Sequence, residues 1–144
     1  MIYLGSDHGG YRLKEEIKKW LTRSGYKFED LGNTVLDSED DYPDFAIKVA
    51  KKLGKEGDFG LLFCRSGVGM DIVANRFFKV RCGLGFSSQQ VRLAKRDDNI
   101  NCLALPADFV SEKEAQTIIT MFLETQFSGG DKYLRRLKKI EKIK

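Results

Sequence analysis

The chain has 144 residues, of which 42% are hydrophobic and 32% are charged, and its formal net charge is +4. This length suits one domain over residues 1–144 with a core that needs no disulfide or metal, and the composition excludes collagen-like, low-complexity and mini-protein scaffolds. No apolar run reaches the ~20 residues of a membrane span, so we expect no membrane association.

Short apolar runs typical of β-strands alternate with segments that have the hydrophobic period of helices. The runs are IYLGS near residues 1–6, YKFED at 26–30, FGLLF at 59–63, VRCGLG at 80–85 and NCLAL at 101–105. Helical spacing is evident around residues 13–21, 46–53, 87–96 and 115–122, and a last helix is expected after residues 129–130. Such alternation predicts an α/β fold with a parallel sheet and helices on both faces.

The three cysteines, Cys64, Cys82 and Cys102, are odd in number and lack CxxC spacing. This usage predicts free thiols in a reducing, cytoplasmic compartment. The first residues lack the basic and apolar regions of a secretory signal, which agrees with that location. Cys82 and Cys102 lie within apolar runs, so we interpret both as core thiols.

Positive charge is concentrated at residues 131–144, which hold seven Lys or Arg against two acids. Three interpretations are open: a nucleic-acid contact, a solvated helix with basic residues near its C-terminus, or a cationic helix over an anionic small-molecule site. Charge alone does not choose among them. Nucleic acid ranks last, because the chain shows no reading helix or stacking aromatics for it.

The functional site is expected where two chemically rich loops meet. In open α/β sheets, ligands bind beyond the carboxyl ends of the strands, at the point where the strand order reverses. For the assumed order 2-1-3-4-5, that point lies between the first and third strands. The loops after these strands, residues 6–10 and 64–69, carry most of the reactive side chains.

The loop at residues 64–69 places a cysteine at the end of a buried strand and two glycines at the start of a helix. Glycines let backbone N–H groups approach a ligand oxyanion, and a helix N-terminus favours negative charge. The same field lowers the pKa of a nearby thiol. We therefore predict that Cys64 is a base or nucleophile beside an oxyanion cradle, ahead of a purely structural role.

His8 is the only histidine, and it lies beside Asp7 in the polar loop after the first strand. This position favours a contact with a phosphate or a sugar hydroxyl over a surface or capping role. One histidine without a second or a cysteine pair argues against zinc. No GxGxxG follows the first strand and no GxxxxGK[ST] occurs, which argues against NAD and ATP. We expect no cofactor and no metal.

Six short motifs occur in order along essentially the whole chain. They are S-D-H-G-G at 6–10, D-Y-P at 41–43, C-x-S-G-V-G-M at 64–70, A-N-R at 74–76, N-x-N-x-L-A-L at 99–105 and G-G…R-R-L at 129–137. In these motifs the chain resembles the ribose-5-phosphate isomerase B family, which includes the galactose-6-phosphate isomerase subunits. The motifs are specific in combination, although no single one would be.

The resemblance implies a Rossmann-like three-layer sandwich of strand order 2-1-3-4-5, with a C-terminal helix that reaches a neighbouring subunit. It also implies a homodimer, often paired into a tetramer, whose active sites are shared between subunits. The implied reaction is metal-free aldose–ketose isomerisation of a sugar phosphate, first of all ribose 5-phosphate to ribulose 5-phosphate.

The resemblance also implies roles for individual residues. Cys64 takes the proton from C2 of the open-chain aldose and returns it to C1, and Ser66, where the family usually has threonine, helps move the proton between O1 and O2. The amides around residues 67–69 hold the enediolate oxygens. The candidate substrate-binding residues are Asp7, His8, Tyr42, Arg65, Gly67, Val68, Gly69, Asp98, Arg135 and Arg136, of which one of the last two faces the phosphate of the neighbouring subunit's ligand.

The chain departs from the family pattern at several charged positions. Asp97 stands where the family typically has a ring-opening histidine, and a carboxylate can accept the anomeric proton but does not readily donate one near neutral pH. Asp108 aligns with a phosphate-binding arginine, and Arg65 replaces a glycine. The Arg-His expected after the Gly-Gly pair is Asp-Lys at residues 131–132.

Two hypotheses account for these departures. In the first, the charge network is rearranged: Arg65 takes over part of the anion binding, or pairs with Asp97, Asp98 or Asp108 across a subunit interface. In the second, the chain takes a different sugar or a ligand without phosphate, or is a non-catalytic or divergent sugar- or sugar-phosphate-binding protein that has lost ring opening. The retained Cys64 favours the enzyme, with Asp97 as the least secure catalytic candidate.

Overall fold

Each of the five apolar runs forms a strand of one sheet in the computed structural model, which describes residues 1–143. The strands are β1 (Ile2–Ser6), β2 (Phe28–Asp30), β3 (Phe59–Cys64), β4 (Cys82–Leu84) and β5 (Cys102–Pro106). The helices are α1 (Tyr11–Arg23), α2 (Tyr42–Lys52), α3 (Val68–Ala74), α4 (Ser88–Asp98), α5 (Glu112–Glu124) and α6 (Asp131–Ile140). All strand pairings are parallel, which confirms the predicted α/β class.

The order of the strands is β2-β1-β3-β5-β4, so the predicted order 2-1-3-4-5 is wrong at one edge. β5 takes the inner position because its residues are all buried, as a parallel strand with neighbours on both sides requires. β4 is a short, half-buried strand and forms the edge instead. β1 and β3 are neighbours as expected, so the predicted meeting point of their loops is retained.

Helices cover both faces of the sheet because side chains along each strand alternate between them. Leu61 and Phe63 of β3 pack with α1, α4 and α5, whereas Leu62 and Cys64 pack with α2 and α3. The sulfur of Cys64 therefore faces the side of the sheet that carries α2 and α3, whose first turns rise from the carboxyl edge.

The helix boundaries follow local capping chemistry. The Ser87 hydroxyl accepts a hydrogen bond from the Gln90 amide at the start of α4, and Ser111 forms a capping box with Glu114 at the start of α5. α6 packs against α4 and buries Leu137. Within residues 1–143, no helix combines the length and the apolar character needed to span a bilayer.

Candidate active site

Three loops meet at the carboxyl edge of the sheet, after β1, β3 and β5. Their strands are adjacent, with Ser6 in register with Phe63 and Cys64 in register with Pro106. The β5 loop is bonded to the β3 loop, since the Ala107 amide donates to the Cys64 carbonyl at 2.9 Å. This edge brings together Asp7, His8, Cys64, Arg65 and Ser66, as the sequence predicts.

Cys64 lies just beneath the surface of this edge, with 5% of the residue exposed. The Gly67 amide donates to its Sγ at 3.2 Å, and Gly67 has the left-handed backbone (φ 77°) that turns the chain from β3 into α3. Burial raises the pKa of the thiol and outweighs the opposing hydrogen bonds from the Met70 and Gly67 amides, while the Asp7 charge raises it further. The predicted lowering of this pKa is therefore wrong, because desolvation exceeds the effect of the helix start.

The first amides of α3 are already bonded to side chains of the same loop. Gly67 donates to the Cys64 sulfur, and Val68 donates to the Ser66 hydroxyl at 3.3 Å. Ser66 itself is exposed at the mouth of the site. The two N–H donors thus point to Cys64 and Ser66, and their use as an oxyanion cradle stays a prediction.

His8 forms a tight pair with Asp40 of the long loop before α2. The distance between His8 Nδ1 and Asp40 Oδ1 is 2.6 Å, and the same oxygen accepts the His8 backbone amide at 3.0 Å. This hydrogen bond raises the pKa of His8 above its usual value. The His8 side chain is 36% exposed, whereas the Asp40 side chain is only 6% exposed.

Asp40 is not among the site residues predicted from the sequence, and it lies in a loop with several other acidic residues. This loop is anchored by Lys14, whose fully buried ammonium group donates to the Asn33 carbonyl at 2.9 Å and to the Asp30 carboxylate at 2.5 Å. The Asn33 amide in turn bonds to Asp40. A chain of contacts from α1 therefore fixes the carboxylate that holds His8.

Asp7 is buried at the base of the site, and its Oδ1 accepts the Gly10 amide at 3.0 Å. Burial raises the pKa of this carboxyl group. Asp7, His8 and Asp40 offer ligand atoms within 4.8 Å of one another, the one such group in residues 1–143. The bond between His8 Nδ1 and Asp40 ties up two of these atoms, so we interpret the cluster as an ion-pair network.

Tyr42 packs against the first turn of α3. A Cβ atom built on Gly69 would lie 2.8 Å from carbons of the Tyr42 ring, so only glycine at position 69 allows this contact. Tyr42 remains 40% exposed. The structure thus brings Tyr42 and Gly69 together, and the role of Tyr42, Val68 and Gly69 in substrate binding stays a prediction.

Arg65 pairs with Asp108, with 2.8 Å between Arg65 Nε and Asp108 Oδ2. This contact is one of the three alternatives that the sequence left open. It lies within one chain, so the expectation of a pair across a subunit interface is wrong for Asp108. The reason is the strand order, because β5 is the direct neighbour of β3 and its loop runs beside that of Arg65.

Four predicted site residues lie away from Cys64 in the same chain, namely Asp97, Asp98, Arg135 and Arg136. Asp97 and Asp98 end α4 at the amino edge of the sheet, since residues 99–101 lead directly into β5. The length of β5 separates the two edges by roughly 15 Å. Asp97 also forms a bidentate pair with Arg96 at 2.6 and 3.0 Å, which holds its pKa below the usual value. Arg135 and Arg136 belong to α6, which packs against α4.

Comparison with known proteins gives consistent matches over nearly the whole chain. The model of one protein family, described as Ribose/Galactose Isomerase, matches residues 2–140. A Mycoplasma genitalium protein named "Probable ribose-5-phosphate isomerase B" is 40% identical over 141 residues, covering 96% of this chain and 92% of that protein.

Two solved structures resemble the chain closely. A ribose 5-phosphate isomerase from Thermotoga maritima has a TM-score of 0.93 at 40% identity and covers 99% of this chain and 97% of its own. Ribose-5-phosphate isomerase B from Mycoplasma genitalium, solved with bound ribulose-5-phosphate, has a TM-score of 0.92 at 39% identity, with 97% and 93% covered.

Proposed function

Because the chain belongs to the ribose/galactose isomerase family and is a sugar-phosphate isomerase, we propose that it interconverts ribose 5-phosphate and ribulose 5-phosphate through Cys64. The observation that carries this proposal is the Cys64 sulfur at the start of α3, which accepts the Gly67 amide beside the loop of Asp7 and His8. This arrangement offers a proton acceptor next to fixed N–H donors, as an enediolate intermediate requires.

In the proposed reaction the Cys64 thiolate removes the proton from C2 of the open-chain aldose, and the electron pair forms the C1–C2 double bond of an enediolate. Ser66 passes a proton between O2 and O1, and the Cys64 thiol then protonates C1 to give the ketose. The Gly67 and Val68 amides exchange their present side-chain acceptors for the enediolate oxygens, and the Gly69 amide joins them. Asp7, His8, Tyr42 and Arg65 surround the substrate.

The remaining proposed residues come from a second copy of the chain. Asp97 would accept the anomeric proton during ring opening, Asp98 would line the site, and Arg135 or Arg136 would approach the phosphate. This proposal requires a homodimer or tetramer with shared active sites, because these residues lie at the opposite edge of the sheet from Cys64 of their own chain. The three free thiols suit the proposed cytoplasmic location.

The test is a panel of five- and six-carbon aldose phosphates, followed by NMR in deuterated water. We expect ribose 5-phosphate to be the best substrate and its C2 hydrogen to exchange with solvent. The Cys64→Ala variant should bind the sugar phosphate and show no exchange. Conversion of none of the sugars, with no exchange in the unmodified chain, would leave only the non-catalytic binding protein, and full exchange in Cys64→Ala would remove Cys64 as the base.

A further inference from the structure

The side chain of Arg65 crosses the mouth of the site over the loop that follows β1. A Cβ atom built on Gly9 would lie 2.3 Å from Arg65 Cγ and 3.2 Å from Arg65 Cδ. The aliphatic stem of the arginine thus fills the space that any side chain at position 9 would need. Glycine at position 9 is therefore a requirement for this placement of Arg65.

Asp108 fixes the charged end of the same side chain. Its Oδ2 accepts from Arg65 Nε at 2.8 Å, and its backbone amide donates to the Arg65 carbonyl at 3.1 Å. The Nε contact is the only side-chain hydrogen bond of Arg65 among residues 1–143. The N–H groups of the two terminal nitrogens make no hydrogen bond within residues 1–143, and this edge can bind an oxyanion through two parallel hydrogen bonds.

The guanidinium lies within electrostatic range of both functional groups of the β1 loop. Its positive charge opposes the rise in the pKa of His8, and the Asp7 carboxylate adds to the rise in the pKa of Arg65. The Arg65 guanidinium, carried by the loop after β3, thus interacts with charged groups of the loops after β1 and β5. It lies at the entrance to the site in which Cys64 is the proposed base.

We propose that Asp108 is a positioning residue for Arg65, and that the pair makes Arg65 a ligand for the phosphate group of the substrate, beside the arginine of the second copy. This inference rests on the proposed function. An exposed arginine samples many rotamers and loses that freedom when it binds an anion. Asp108 removes much of this loss in advance and leaves the terminal edge of the guanidinium free. The pair therefore sets the preference for a phosphorylated over a neutral sugar.

The test compares Arg65→Gln, Asp108→Asn and the double variant by KM and kcat for ribose 5-phosphate, and by competitive inhibition with inorganic phosphate. We expect Arg65→Gln to raise KM and the phosphate inhibition constant by about 10- to 100-fold, as loss of a charge-assisted bidentate contact should. Asp108→Asn should raise both by about 3- to 10-fold. The double variant should be no worse than Arg65→Gln, and kcat should change little.

Two further variants separate positioning from a general charge effect. Asp108→Glu keeps the carboxylate and should restore most of the affinity. Glu16→Gln removes one acid from the Glu16–Lys19 pair on α1, whose exposure is similar to that of the Arg65–Asp108 pair, and should leave KM unchanged.

An unchanged or lowered KM in Asp108→Asn would overturn the positioning role, because the carboxylate would then be neutral or repulsive toward the phosphate. Additive losses in the double variant would also overturn it. If the unmodified chain converts no sugar phosphate, the proposed function fails, and calorimetry with inorganic phosphate still decides the role of Arg65. If the chain is active and Arg65→Gln keeps the original KM, only this inference fails.

Discussion

Two buried thiols lie at opposite ends of adjacent strands and face the same side of the sheet. Cys64 ends β3 and is 5% exposed, whereas Cys102 begins β5 and is fully buried. An amide donor and the charge of Asp7 act on Cys64. Cys102 lies against Gly60, and a Cβ atom built on Gly60 would approach the Cys102 sulfur to 2.7 Å. The Cys102 thiol lies beside the free thiol of Cys82. The end of the strand, and not burial alone, therefore decides which thiol can do chemistry.

The amino edge of the sheet shows that cavity size does not identify the site. A cavity of about 740 Å³ opens there and is lined by Phe59, Arg81 and Lys95, among others. Lys95 is buried, yet its ammonium donates to the Ile100 carbonyl at 2.8 Å and lies 4.8 Å from the centre of the Phe59 ring. Parallel strands place helix N-termini only at the other edge, so converging amide donors are found there.

Replacing each thiol by alanine should separate the two edges most strongly. Cys64→Ala should lower kcat by about 10²- to 10⁴-fold, because it removes the proposed base. Cys102→Ala should keep kcat and lose about 1–2 kcal/mol of stability, because it leaves a small cavity between β3 and β5. Steady-state kinetics and urea unfolding measure both quantities.

The pH dependence of the unmodified chain provides a control for the role of Cys64. Since burial raises the pKa of this thiol, the thiolate fraction and the rate should still be rising at pH 9. A rate that is flat above neutral pH, or an equal loss of kcat in both alanine variants, would contradict the contrast between the two strand ends.

Replacing Lys95 should have the next largest effect, which is on stability and not on activity. Burial and the nearby Arg81 lower the pKa of Lys95 from 10.5 to about 8. The unfolded chain therefore binds more protons between these two values, and the folded chain gains stability as the pH rises through that window. Relative to Lys95→Met, the free energy of unfolding of the unmodified chain should increase across this window by on the order of 3 kcal/mol at most.

Urea unfolding at several pH values between 7 and 10.5 measures this gain. The matched control is Lys48→Met, since Lys48 also lies over an aromatic ring, that of Phe45, but is exposed. Its stability curve should stay parallel to that of the unmodified chain. A parallel curve for Lys95→Met as well would contradict the lowered pKa.

Most of the fold follows from local patterns in the sequence. All five apolar runs are strands, and the reactive loops after β1 and β3 meet as predicted because their strands are adjacent. The order of β4 and β5 could not be predicted from period alone, because both runs read as short apolar strands. Their difference in burial depends on packing against α4 and α5, which no local pattern encodes.

The site residues that belong to short sequence motifs could be predicted, whereas a residue that a distant loop contributes could not. Cys64, Ser66 and His8 are marked by short motifs on the loops themselves. Asp40 is thirty-two residues from His8, and nothing in the acidic loop distinguishes it from its neighbours. Only the anchoring of that loop by Lys14 brings this carboxylate to the imidazole. The raised pKa of Cys64 depends likewise on burial, which the sequence indicated only in part.

Removing the Asp40 carboxylate should have the smallest effect on the protein as a whole, and this effect should be confined to His8. Asp40→Asn should lower the pKa of His8, because the hydrogen bond to this carboxylate is the main reason for its rise. His8 is the only histidine, so its imidazole resonance in an NMR titration reports the shift directly.

The unmodified chain gains stability from this pair below the unfolded pKa of histidine and loses it as the pH rises through the raised folded value. The two chains should therefore differ more in unfolding free energy at pH 5.5 than at pH 8.5. Asp37→Asn in the same loop is the matched control and should leave the resonance unchanged, because within residues 1–143 the Asp37 side chain accepts a hydrogen bond only from the Glu39 amide. An unshifted His8 in Asp40→Asn would mean that the carboxyl edge does not tune its imidazole, and the contrast with the amino edge would then rest on Cys64 alone.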